Sequence, residues 1–112
     1  MDCLFCKIAS GDIPSKKVYE DDRALAFHDI DPKAPVHLLV IPKTHIKSAG
    51  EIEPGNADVV AHLFTVITQL AKDLELGGGF RVVTNCGKDG GQTVDHLHFH
   101  LLAGRQMSWP PG

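Results

Sequence analysis

The run His96-Leu97-His98-Phe99-His100-Leu101-Leu102 alternates imidazole and apolar side chains without a break. Successive side chains of a strand point to opposite faces, so His96, His98 and His100 share one face and Leu97, Phe99 and Leu101 the other. The chain must therefore bury one side of this segment and leave a row of imidazoles on the other. Neighbours in such a row lie roughly 6.6 Å apart along the strand, near enough to act on one ligand. Seven of the 112 residues are histidine and three of them fall within five positions, a pattern that suits a metal, a phosphate, or a nucleophile with its partners. An imidazole with a pKa of about 6.5 is largely neutral at pH 7 and can attack phosphorus without an activating metal. If His98 is that nucleophile, one ring nitrogen must be free while the other donates to a fixed acceptor, either a backbone carbonyl or a neighbouring histidine.

The remaining elements follow from periodicity and punctuation. Phe5 to Ser10 has the length of one or two helical turns before Gly11, and Lys16 to Glu20 alternates like an edge strand ahead of a turn at Asp21-Asp22. Ala24-Leu25-Ala26-Phe27-His28 and His37-Leu38-Leu39-Val40-Ile41 are short apolar runs of strand length, separated by a Pro-containing loop from Asp29 to Pro35. From Asp58 to Glu75 the period changes: Val60, Leu63, Phe64, Ile67, Leu70, Ala71 and Leu74 form one helical stripe, ended by Gly77-Gly78-Gly79. Phe80 to Asn85 returns to strand character, and Gly87-Lys88-Asp89-Gly90-Gly91 is a turn leading into the histidine run. About five strands with one long and one short helix, joined by short links, predict an α+β domain on an antiparallel sheet.

Residues 1–112 are enough for one domain, and 43% hydrophobic against 22% charged residues supplies a core rather than a disordered tail. A net charge of -3 without long runs of either sign excludes binding to nucleic acid or anionic membrane through bulk charge. The N-terminus from Met1 to Lys7 lacks a basic leader followed by an apolar stretch, so the chain is expected to be soluble and cytoplasmic. Its three cysteines are an odd number, which disfavours a disulfide framework. Cys3-x-x-Cys6 leaves three readings open: zinc ligation, a redox dithiol, or two buried thiols. The redox reading wants a βαβ context that these first residues lack, and His45 and His96 are the candidates to complete a closed zinc set. Cys86 is read as an incidental buried thiol.

The histidine run resembles the His-x-His-x-His-x-x signature, with x apolar, of the histidine triad superfamily. Ala26 to His37, Val40-Ile41-Pro42-Lys43, Gly90-Gly91-Gln92 and the tail Gly104 to Gly112 ending Trp109-Pro110-Pro111-Gly112 are similar to the nucleotide-binding (Hint) branch, and the likeness covers nearly the whole chain. The resemblance implies a single domain of the histidine triad fold whose sheet continues across a homodimer, with the tail 103–112 contributing to both dimer and active site. It implies binding of purine nucleoside monophosphates and hydrolysis of phosphoramidates such as AMP or GMP linked to an amine. His98 would attack the α-phosphorus, His100 and His37 would hold phosphate oxygens and assist proton transfer, and Thr93 would stand beside the leaving group.

On the same resemblance Asp29 would accept the ribose hydroxyls, and Asn85, Gly91 and Gln92 would offer donors around the phosphate. Phe5, Ile8, Phe27 and Ile30 would form the base pocket, although Ile8 and Phe27 serve equally well as core. Trp109 would reach the partner subunit's site. Cys3, Cys6, His45 and His96 would hold a structural zinc, with no cofactor needed for the chemistry, so that His96 is a metal ligand and not a phosphate ligand. The chain departs from the family pattern at Asp95, where an aromatic is common, and at Thr93, where serine is usual. Two other functions remain open: a dinucleoside polyphosphate hydrolase, and a zinc-stabilised nucleotide-binding or scaffold module with little turnover.

Overall fold

A computed structural model describes residues 3–112; Met1 and Asp2, part of the segment read above as leaderless, lie outside it. The elements are α1 (Leu4–Ser10), β1 (Lys17–Glu20), β2 (Ala24–His28), β3 (Val36–Pro42), a short 3-10 turn (Ala49–Glu51), α2 (Ala57–Asp73), β4 (Arg81–Val83) and β5 (Phe99–Ala103). The five strands form one sheet in the order β1-β2-β3-β5-β4, every neighbouring pair antiparallel. The predicted α+β architecture with one long and one short helix is the one observed. Among the described residues, no helix is long and apolar enough to cross a membrane.

β2 and β3 read as continuous apolar runs because both of their faces are covered. Ala24, Ala26, Leu38 and Val40 pack with Leu63, Val66, Ile67 and Leu70 of α2, and Leu97, Phe99 and Leu101 join them. Leu25, Phe27, Leu39 and Ile41 face the other way, onto Phe5 and Ile8 of α1. The helical stripe differs from expectation at three residues: Val66 is buried, whereas Phe64 and Leu74 are 44% and 43% exposed. Phe64 lies at the margin of the stripe and covers the edge of the Phe99 ring, with centroids 5.3 Å apart.

The histidine segment is only partly strand. β5 begins at Phe99, and His96 to His98 precede it as irregular chain in which the Leu97 amide donates to the Ile46 carbonyl at 2.6 Å. The alternation nevertheless holds, since Leu97, Phe99 and Leu101 enter the α2 core while His98 and His100 lie on the α1 side. β5 pairs His100 with Leu39 and Leu102 with His37, which brings a further histidine in from β3.

Candidate functional site

At the start of α1, Cys3 is the N-cap and its sulfur accepts from the Cys6 amide at 3.3 Å, so both sulfurs occupy one helical turn. His45, just past β3, and His96, just before β5, bring Nδ1 atoms to the same point. Cys3 Sγ and His96 Nδ1 are 3.3 Å apart, Cys6 Sγ and His45 Nδ1 3.3 Å, Cys6 Sγ and His96 Nδ1 3.5 Å, and the two Nδ1 atoms 3.2 Å. Zinc bonds of about 2.3 Å to sulfur and 2.0–2.1 Å to nitrogen give a tetrahedron with S–N and N–N edges of about 3.3–3.6 Å, so these separations already suit the ion. The ring of His96 is also in the required tautomer: its Nε2–H donates to the Pro42 carbonyl at 2.8 Å, leaving the Nδ1 lone pair for metal. Without a cation, burial and the adjacent Cys3 sulfur hold the Cys6 thiol above its ordinary range, an effect that a bound ion reverses. The set fits a closed structural zinc, and both thiols are only partly buried, unlike the alternative of two buried thiols.

Two residues further along, His98 is buried, with Nδ1–H donating to the His96 carbonyl at 2.7 Å. A carbonyl can only accept, so the neutral ring carries its lone pair on Nε2. Phe5 packs edge-on against the His98 ring with centroids 5.1 Å apart, and Thr84 Oγ1 donates to the His98 carbonyl at 2.8 Å. Phe5 also contacts Phe27 and His96 and is 5% exposed, which makes it the floor beneath the His98 ring rather than a wall of the cleft.

His37 and His100 form a second linked pair. The Lys33 amide donates to His37 Nδ1 at 3.0 Å, and His37 Nε2 faces His100 Nδ1 at 2.9 Å and Asp29 Oδ2 at 3.4 Å. Burial holds the His37 pKa below its ordinary value against the opposing pull of Asp29. Burial, aided by His98 and His37, pushes His100 down to about 4, so the pair is neutral at physiological pH. His37 thus lies behind His100, one hydrogen bond back from any ligand that His100 touches.

A cleft of about 720 Å³ opens on this side of the sheet, lined by Ile8, Pro14, Ser15, Lys16, Phe27, His28, Asp29, Ile30 and Pro32. Four of the predicted nucleotide residues, Ile8, Phe27, Asp29 and Ile30, therefore share one wall. Ile30 is fully exposed at the lip, facing water with an apolar side chain, and Asp29 Oδ1 accepts from the Asp31 amide at 2.8 Å. Pro14, Ser15, Lys16, His28 and Pro32 were not named as site residues, and only their position beside the β2 end assembles them.

The glycine turn is self-contained. Asn85 Nδ2 donates to the Gly90 carbonyl at 2.7 Å, while Gln92 accepts from the Gly87 amide at 2.9 Å and donates to the Lys47 and Val94 carbonyls at 2.8 and 3.0 Å. Both amides hold the loop in shape, and Gly90 is needed because a Cβ would strike the Cys86 backbone. Gly91, Gln92 and Thr93 line a separate cleft of about 690 Å³ with Lys47, Ser48, Cys86, Lys88 and Asp95. Cys86 is exposed there, with its sulfur 3.5 Å from Ser48 Oγ, contrary to the buried thiol expected: the turn carries it to the surface. Trp109 is 80% exposed, with the Arg81 guanidinium 5.9 Å from its ring.

The HIT domain family matches residues 10–107 of the chain. The chain is 48% identical over 113 residues to the 14 kDa zinc-binding protein of Brassica juncea, covering 99% of this chain and all of that one. Its fold superimposes on the crystal structure of a HIT family hydrolase from Legionella pneumophila with a TM-score of 0.97, at 48% identity and covering 99% of this chain and 100% of the other. A histidine triad nucleotide-binding protein from Candida albicans is similar at a TM-score of 0.83 and 36% identity, with 97% and 83% of the two chains covered. With the zinc cage, the linked histidines and these likenesses spanning almost its whole length, the chain belongs to the HIT domain family.

Proposed function

We propose that the protein is a nucleoside phosphoramidase of the Hint branch, cleaving purine nucleoside 5'-phosphates linked to an amine. The observation that carries this reading is the His98 tautomer: the His96 carbonyl takes Nδ1–H and leaves an unprotonated Nε2 as the nucleophile. Attack by Nε2 forms an N–P bond and breaks the bond to the amine, which takes a proton from solvent as it departs, the equivalent of the proton that the attacking water gives up in the second step. The positive charge that develops on the His98 ring is met by the same carbonyl. Water then attacks phosphorus, releases the nucleoside monophosphate and returns His98 to its neutral form.

The other residues take complementary roles. His100, with Nδ1 accepting from His37, presents Nε2–H to a phosphate oxygen, and His37 acts through it. Ile8, Phe27 and Ile30 offer the apolar slot for a base, and Asp29 offers a carboxylate for ribose hydroxyls. Asn85, Gly91 and Gln92 shape the loop from which backbone donors face the phosphate, and Thr93 stands on the leaving-group side. The cage of Cys3, Cys6, His45 and His96 serves as a structural zinc site. The hydrolase and nucleotide-binding proteins of the same fold support this assignment.

We further infer a homodimer joined at the β4 edge. Phe80 and Trp109 are 45% and 80% exposed beside Arg81 of that strand, and a second copy would cover both and bring Trp109 to its partner's cleft.

The reaction is tested with an adenosine 5'-phosphoramidate bearing a primary-amine leaving group. His98→Ala is expected to bind AMP and to lose turnover by about 10³-fold or more, as loss of a nucleophile does. AMP binding by the unsubstituted protein without any turnover would overturn the phosphoramidase reading and assign a nucleotide-binding module, with Thr93 and Asp95 the first residues to revert.

A further inference from the structure

The C-terminal tail leaves β5 at Gly104 and is tied down at two points that the chemistry above does not use. Arg81 Nη2 donates to the Ser108 carbonyl at 2.9 Å. Arg105 grips the Lys33 carbonyl with two donors, Nε at 3.2 Å and Nη2 at 3.0 Å. Gly104 brings the tail hard against the same loop: its φ is +94°, and a Cβ there would lie 2.8 Å from Pro35 Cβ.

Lys33 is the residue whose amide donates to His37 Nδ1. A backbone N–H can only donate, so it compels His37 to carry its proton on Nε2, which in turn compels His100 to accept at Nδ1 and keep its own proton on Nε2. Losing the Lys33 bond removes the donor at Nδ1 and lets His37 take the opposite tautomer against the weaker pull of Asp29 Oδ2, 3.4 Å from Nε2, and His100 then has to reverse with it. The loop's other ties, the Asp29 amide to the His37 carbonyl, the Asp31 amide to Asp29 Oδ1 and the Lys33 ammonium to Asp31, do not bond the Lys33 main chain.

We propose that Arg105 is a positioning residue for the His37–His100 pair: its fork on the Lys33 carbonyl holds the loop so that the Lys33 amide sets both tautomers and leaves an N–H of His100 facing the phosphate. The effect on rate rests on the phosphoramidase reading, whereas the effect on the imidazoles rests on geometry alone. The tail thereby has a role within its own subunit, separate from any that Trp109 has in a partner.

The test is ¹⁵N spectroscopy of the imidazoles in the full chain at neutral pH, comparing the parent with Arg105→Ala, Arg105→Lys and Arg81→Ala. In the parent, His37 and His100 should each show an unprotonated Nδ1 and a protonated Nε2. Arg105→Ala should give mixed tautomers at both rings and a kcat about tenfold lower with KM little changed, the scale of loss expected when a catalytic group is slightly misplaced. Arg105→Lys, which retains one donor, should return the parental ring pattern, and Arg81→Ala, which loosens the tail elsewhere, should not disturb it. A parental pattern in Arg105→Ala, or the same mixing in Arg81→Ala, would overturn the proposal, as would the opposite tautomers in the parent. A parent that turns over no phosphoramidate would remove the proposed reaction while leaving the spectroscopic arm to decide on Arg105.

Discussion

His96 and His98 stand two residues apart, and each is adapted to a different task by the carbonyl it meets. The Pro42 carbonyl takes Nε2–H of His96 and frees Nδ1 for a metal, while the His96 carbonyl takes Nδ1–H of His98 and frees Nε2 for the proposed attack on phosphorus. The alternating pattern makes the row of imidazoles legible, and the need for a fixed acceptor at His98 follows from nucleophile chemistry; neither says which carbonyl serves. His100 supplies a residue-scale prediction. Its pKa in the folded chain is held near 4 by burial and by His98 and His37, with Asp29 opposing, whereas an unfolded histidine titrates near 6.5. Above about 6.5 both states are neutral and the residue adds no pH dependence; as pH falls from there toward 4, the unfolded chain takes up a proton that the folded site refuses. Stability should therefore fall across that window, and His100→Gln should lose less of it. Urea midpoints for both proteins from pH 7.5 to 4.5 measure this, and parallel curves would show that burial of His100 carries no linkage.

Among the elements, α1 depends most on its surroundings. Seven residues are too few for a helix to be stable alone in water, so its order comes from Phe5 and Ile8 against the sheet and from the Cys3/Cys6 cage at its first turn. Phe5 also underlies the His98 ring, so one side chain links the cage's helix to the proposed nucleophile. Protein prepared without chelator should contain about one zinc per chain, and its removal should lower the melting temperature, by roughly 4–8 °C for each kcal/mol lost in a domain of this size. Elemental analysis far below one equivalent, or a melting temperature unmoved by chelation, would argue against the cage. Cys3-x-x-Cys6 was legible as a candidate zinc pair; that both sulfurs share one helical turn follows only from the start of α1 at Leu4 with Cys3 as its cap. The stripe of α2 was readable too, except at Val66, Phe64 and Leu74, because the width of a buried stripe is set by the shape of the sheet beneath it.

For the whole molecule, the sheet order β1-β2-β3-β5-β4 leaves two edges, and the one at β4 lies beside exposed Phe80 and Trp109. A second copy docked there would cover an edge that otherwise invites pairing. Light scattering at micromolar concentration should return twice the chain mass; a monomer would leave Trp109 without a site to reach and confine the tail's role to Arg105.

The residue pattern by itself determined the elements and their faces, because side-chain direction along a strand or helix repeats with a local period and needs no knowledge of distant chain. It named the four metal ligands as a possibility and the histidine row as chemistry. Only the tertiary structure decided that Cys3 and His96, separated by most of the chain, stand 3.3 Å apart, and that Phe5 lies under His98 rather than in the cleft. It alone decided the proton positions, since a tautomer is set by whichever donor or acceptor the fold brings to the ring, and those partners, the carbonyls of Pro42 and His96 and the amide of Lys33, carry no signature in residue type.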